Sequence, residues 1–124
     1  MFKVNIERIG DVAVIHCGGR VAQSSAAFRL RDAVTQQRDA RMILVDLSDL
    51  QSLEGGGLGM LVFLQRWASD LGIQFKVFDP PAFVRERLKQ VRSASELEIA
   101  GMSDVLFLLG WEPKELWEGF RRAA

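Results

Sequence analysis

Residues 43–72 read ILVDLSDLQSLEGGGLGMLVFLQRWASDLG, and this stretch decides the architecture. Met42 to Leu47 is a continuous apolar run broken only at Asp46. A strand apolar on both faces belongs in the middle of a sheet, covered on both sides or nearly so. Glu54-Gly55-Gly56-Gly57-Leu58-Gly59 then makes a turn, and Leu58, Leu61, Leu64, Ala68 and Leu71 recur at helical spacing until Gly72. Ile73, Phe75 and Val77 form the next strand, closed by Asp79-Pro80-Pro81. Strand, helix and strand joined by short turns imply a right-handed parallel crossover.

Working outward toward the N-terminus, Phe2, Val4 and Ile6 alternate with Lys3, Asn5 and Glu7, the pattern of a half-buried strand. Gly10-Asp11 is a turn, and Val12 to Cys17 is a second strand, so the first two strands predict an antiparallel hairpin ended by Gly18-Gly19. Ser24 or Ser25 suits a helix N-cap. Ala27, Leu30 and Val34 then trace an amphipathic helix to about Arg38. Toward the C-terminus, Phe83 to Val91 reads as a helix. Ser95 to Leu109 reads two ways: Leu97, Ile99, Met102 and Leu106 at helical spacing, or a last strand over Val105–Leu109. Pro113 suits the first turn of a short terminal helix with Leu116, Trp117 and Phe120 on its apolar side. Together these elements predict one α/β domain over residues 1–124, with a mixed sheet of four to five strands flanked by helices.

The bulk chemistry narrows the function. The chain has 124 residues, 48% of them hydrophobic, and its 16 basic and 16 acidic side chains cancel. Without net positive charge or a basic patch, no nucleic-acid partner is expected. The apolar runs are too short to span a bilayer, so no direct membrane insertion is expected. The N-terminus has no signal-peptide pattern and the lone Cys17 needs no oxidising compartment, so the expected location is the cytoplasm. His16 and Cys17 are neighbours in a strand and point to opposite faces, so they cannot chelate together. His16 reads as a polar-face residue and Cys17 as a small core residue.

Three chemistries suit a glycine-rich strand-to-helix turn. Phosphate binding fits a helix N-terminus in general, but Gly59 is followed by Met60 and Leu61 rather than Lys and Ser or Thr, and the dinucleotide pattern fails at Met60 or Val62. Acid–base catalysis could use Glu54 and Asp46, yet there is one histidine, no serine elbow and no metal-ligand spacing. No catalytic residue, cofactor or metal is therefore assigned. The third chemistry is recognition: a turn with little side-chain bulk lets a partner's backbone come close.

Residues 43–72 also resemble the core signature of STAS domains, the anti-sigma-factor antagonist family. In that signature a strand reading V-L-D-L-S is followed by an apolar pair, then D-S-S-G-L-G, then a helix. Asp46-Leu47-Ser48, the apolar Leu50 and Leu53, and Gly57-Leu58-Gly59 match, as do the element order and the Asp79-Pro80 exit. The similarity is specific over Val45 to Leu61, and the tail beyond Ser93 matches loosely. Where the family has aspartate and two serines, this chain has Glu54, Gly55 and Gly56. The resemblance implies a regulatory protein-binding module and places the family's phosphoserine at Gly56, where no oxygen exists to be phosphorylated. Its implied partner is a kinase-type anti-sigma factor, bound without the usual switch. The alternative is service as an accessory subunit on the ATPase of an ABC-type lipid transporter. Ser48 and Ser52 lie nearby but do not align with the phosphorylated position.

The expected partner surface combines Ser24 and Ser25 with Glu54, Gly55, Gly56, Gly57 and Leu58. Phe63 and Trp67 join it, because Met60, Phe63 and Trp67 fall on a stripe beside the apolar side of their helix. The opposing expectation packs Phe63 and Trp67 under the terminal helix, against Trp111 or Trp117.

Overall fold

A computed structural model describes residues 1–54, 56–91, 97–101, 103, 104 and 106. Its elements are β1 (Phe2–Ile9), β2 (Val12–Val21), α1 (Ser24–Thr35), β3 (Met42–Leu53), α2 (Gly57–Asp70), β4 (Gln74–Phe78), α3 (Ala82–Gln90) and β5 (Glu98–Ala100). The five strands form one sheet in the order β1-β2-β3-β4-β5. β1 pairs antiparallel with β2 through the Gly10-Asp11 turn, and the remaining neighbours are parallel. The sheet is mixed and the class is α/β, as the sequence pattern predicts.

Each parallel crossover adds its strand on the same side of the previous one. Right-handed crossovers of that kind put all connecting helices on one face. Burial agrees. Ala13, Ile15 and Cys17 of β2, Ile43, Val45 and Leu47 of β3, and Phe75 and Val77 of β4 share one core with Leu30, Val34, Leu61, Leu64, Ala68, Val84 and Leu88 of the helices. The opposite face holds a smaller cluster of Val14, Leu44 and Ala100, with Val12 and Phe78 packed at its edge. Both faces of β3 are thus covered over Met42–Val45, which is why that run contains no polar residue.

Several expected boundaries move. β2 continues through Gly18-Gly19 to Val21, because β3 also runs on to Leu53 and the two strands stay paired as far as Val21↔Leu53. Gly19 tolerates this path because its φ is +81° and an added Cβ would strike the Met1 carbonyl. α1 begins after Gln23, which is extended, and neither Ser24 nor Ser25 caps it with a side chain; it ends at Thr35. The fifth strand is Glu98–Ala100, and Leu106 is helical, so the strand expected over Val105–Leu109 does not form at that residue. The segment holding Trp111, Pro113, Leu116, Trp117 and Phe120 lies outside the described residues.

Candidate partner-binding surface

β2 and β3 end together, and their last residues make the floor of the glycine turn. The Glu54 N–H donates to the Val21 carbonyl, and the Gly57 N–H donates back to the Glu54 carbonyl at 3.1 Å. Arg87 of α3 donates its guanidinium to the Leu53 carbonyl from below. The glycines do different jobs. Gly56 is the exposed N-cap of α2 in the left-handed region, φ +86°, where a side chain is strained although nothing stands within 4 Å of its missing Cβ. Gly57 is buried, and a Cβ there would sit 2.5 Å from Leu53 Cδ1 and 3.0 Å from Val21 Cγ1. Gly57 therefore lies beneath the surface and lets α2 seat on the strand ends. Gly59 faces open space.

α1 follows β2 directly and α2 follows β3 directly, so Ser24 and Ser25, both exposed, stand at the same end of the sheet as exposed Glu54 and Gly56. Gly55 is outside the described residues. Leu58 is half-buried against the core.

The two helices run side by side. At about 100° per residue, the buried stripe of α1 centres on Leu30 and that of α2 on Ala68. Arg29 marks the outer side of α1, since its guanidinium stacks on Phe2 of β1 and hydrogen-bonds the Phe2 carbonyl at 2.8 Å. The opposite side of α1, toward α2, carries Ala27 and Arg31, while Phe28 lies about 160° from Leu30, on the outward face of α1. The matching side of α2 carries Met60, Phe63 and Trp67. Phe63 is 51% exposed and Phe28 48% exposed. Met60 and Trp67 are half-buried and pack on the core. Phe63 is therefore a surface residue, and Trp67 is half-buried against the core. Arg31 stacks over the Phe28 ring at 4.9 Å. Sequence pattern alone does not single out Phe28, since its neighbours Arg29 and Arg31 make that side look merely polar; its exposure in the fold supplies the signal.

A second cluster lies on the other face of the sheet. His16 of β2 sits opposite Asp46 of β3, and its Nδ1–H donates to Asp46 Oδ2 at 2.8 Å. Ser48 donates its hydroxyl (2.7 Å) and its backbone N–H (2.9 Å) to Asp46 Oδ1. Glu7 of β1 stands 3.8 Å from His16 Nε2. Burial pulls the Asp46 carboxyl upward, but Ser48 and His16 together hold it below the usual carboxylate value. The carboxylate lies between serine and histidine, so histidine cannot take the serine proton and Ser48 is not an activated nucleophile. Asp46 and Glu54 are eight residues apart along one strand, roughly 25 Å, and do not form an acid–base pair. Burial, with the Asp46 charge, pushes the Cys17 thiol up to about 12. Among the described residues no group of His, Cys, Asp and Glu side chains is arranged to hold a metal ion, and no helix is long and apolar enough to cross a membrane.

The geometry defines the class: this is the STAS fold seen in solved anti-sigma factor antagonists. No family model matches the chain, and no curated protein matches it. Among solved structures, SpoIIAA of Bacillus in its phosphorylated form is 13% identical, with a TM-score of 0.68 over 86% of this chain and 99% of that one. An anti-sigma factor antagonist from Mycobacterium paratuberculosis is 18% identical, with a TM-score of 0.66 over 90% and 96%. RsbS of Moorella thermoacetica, in a serine-to-glutamate variant, is 14% identical with a TM-score of 0.66 over 87% and 96%. The same fold occurs inside larger chains. A murine solute carrier family anion transporter matches at a TM-score of 0.64 and 14% identity, over 85% of this chain but 19% of its own. The chain also matches part of Mglu, at 23% identity and a TM-score of 0.57, over 63% of this chain but only 20% of that one.

Proposed function

We propose that this chain is a regulatory binding module of the anti-sigma-factor antagonist kind, that it docks a kinase-type anti-sigma factor, and that it does no chemistry of its own. The observation that carries the reading is exposed aromatic surface on the two adjacent helices: Phe63 of α2 is exposed beside half-buried Met60 and Trp67, and Phe28 of α1 is exposed as well. Exposed aromatic side chains beside packed apolar ones are the usual make-up of an interface hot spot. The neighbours support it, since SpoIIAA is an anti-sigma factor antagonist solved in phosphorylated and unphosphorylated forms. By resemblance the switch position here is Gly56, which has no hydroxyl, so docking is constitutive at this turn or regulated elsewhere.

Affinity capture of the tagged chain from its native cells, with mass spectrometry of bait and prey, tests this. The expected prey is a kinase-type ATPase, with unmodified bait. Phe63→Ala should lose that prey at least tenfold while keeping its thermal transition within about 2 °C, because Phe63 is exposed. Capture of a transporter ATPase instead would replace this reading with the accessory-subunit one. A phosphorylated bait would show a switch outside Gly56.

A further inference from the structure

β1 and β5 are the two edges of the sheet, and among the described residues no strand pairs with the outer side of β1, whose backbone is set up to pair with itself. In an antiparallel ladder, alternate residues turn their N–H and C=O toward the neighbouring strand. The Arg20 N–H donates to the Met1 carbonyl at 3.2 Å, and Phe2 stands opposite Gly19. Odd-numbered residues of β1 therefore bond inward to β2, and Phe2, Val4, Ile6 and Arg8 turn their backbone groups outward. The Arg29 hydrogen bond to the Phe2 carbonyl confirms the outward direction and closes the edge at that end. Among the described residues Val4 and Ile6 are left with open donors and acceptors at the centre of an eight-residue strand.

We infer that β1 pairs antiparallel with β1 of a second copy, centred on Asn5. In that register Val4 of each copy faces Ile6 of the other, and both residues offer outward backbone groups, so each pair closes a double hydrogen bond. Asn5 meets Asn5 on the two-fold axis. On the face away from the helices, Lys3 of each copy meets Glu7 of the other, at the closer, non-hydrogen-bonded positions. A shift of one residue turns the free backbone groups away from each other. A shift of two either way puts Asn5 opposite Lys3 or opposite Glu7 and breaks both charge pairs. The register with matched backbone groups is thus the register with matched charges. Edge strands kept apart by design usually carry like charges that repel a second copy; this one carries a self-complementary pair. Ile6, 43% exposed, becomes covered by Val4 of the second copy. α1 packs over β1 and β2 together, so the two α1 helices are about two to three strand spacings apart, roughly 10–14 Å, within ordinary helix-packing distance and without collision.

Sedimentation equilibrium of the whole chain across concentrations, at low and moderate salt, tests this pairing. A dimer of twice the chain mass is expected. Lys3→Glu and Glu7→Lys each turn two attractive pairs into two repulsive ones and should raise the dissociation constant about tenfold or more at low salt. The double charge swap Lys3→Glu/Glu7→Lys restores both pairs and should return the constant to within about threefold of the natural chain. Slowed hydrogen exchange at the Val4 and Ile6 amides, growing with concentration, should accompany the dimer. A chain that stays monomeric up to about 1 mM overturns the inference. So does a dimer indifferent to both single variants, or one that the double swap fails to recover. Protection of Val4 and Ile6 only when a different protein is added would also overturn self-pairing.

Discussion

Replacing Gly57 by alanine separates packing from helix propensity, because the two push in opposite directions. Alanine is favoured over glycine within a helix by up to about 1 kcal/mol. Gly57 is not in the left-handed region, so no backbone strain opposes the change. What opposes it is space: the new methyl would lie 2.5 Å from Leu53 Cδ1, 3.3 Å from Leu53 Cγ and 3.0 Å from Val21 Cγ1. Leu53 and Val21 are 2% and 1% exposed, so neither can swing into solvent. Forcing a methyl into a filled core costs about 1–3 kcal/mol. The net expectation is a loss of about 1–2 kcal/mol, which in urea lowers the unfolding midpoint by roughly 0.5–1 M. Gly59→Ala is the control two residues on in the same helix. Its Cβ meets nothing within 4 Å, so it should stabilise by about 0.5–1 kcal/mol and raise the midpoint. Equal stability of Gly57→Ala and the natural chain, or a loss in Gly59→Ala, would show that α2 does not seat on the strand ends as described.

Other consequences are as direct. Gly56→Ser supplies the missing hydroxyl, but at φ +86° it should cost about 1 kcal/mol; urea melts check the cost, and incubation with the captured kinase and ATP followed by intact-mass measurement checks whether the hydroxyl is used. The folded Asp46 carboxyl titrates below its unfolded value. Its stabilisation is therefore complete above the ordinary carboxylate value of about 4 and vanishes as pH falls through the lower folded value. Asp46→Asn should flatten that acid limb of a stability–pH profile, and an unchanged slope would refute the network. Cys17 is 3% exposed and its thiol is pushed up to about 12, so thiol reagents should label it only as fast as the chain unfolds; rapid labelling of native protein would contradict its burial.

The parts of the fold legible in the sequence are those written in local pattern. The β1–β2 hairpin follows from strict alternation plus a glycine turn, and the β3–α2–β4 unit from an apolar run, a glycine break and helical spacing. The boundaries that moved depend on partners distant in sequence. Gly18-Gly19 looks like a strand terminator, and only the continued pairing to Asp49–Leu53 shows that it is strand. Glu98–Ala100 is too short to show a period, and it exists because β4 offers it an edge. Phe63 could be placed beside the apolar stripe of α2 from spacing alone, but Phe28 needed its exposure in the fold. The link between His16 and Asp46 was equally out of reach, since it is a register relation across thirty residues of sequence.

The strand order has a kinetic corollary. Every strand is hydrogen-bonded to the strand that precedes it in the chain, so no strand waits for a distant one to be made. Loop-closure entropy is spent in small, successive instalments, each followed at once by new pairing. Such a chain can assemble vectorially as it leaves the ribosome, with the hairpin first and β5, held by three residues, last. On unfolding the same order should run backwards, with β5 opening ahead of the sheet's centre.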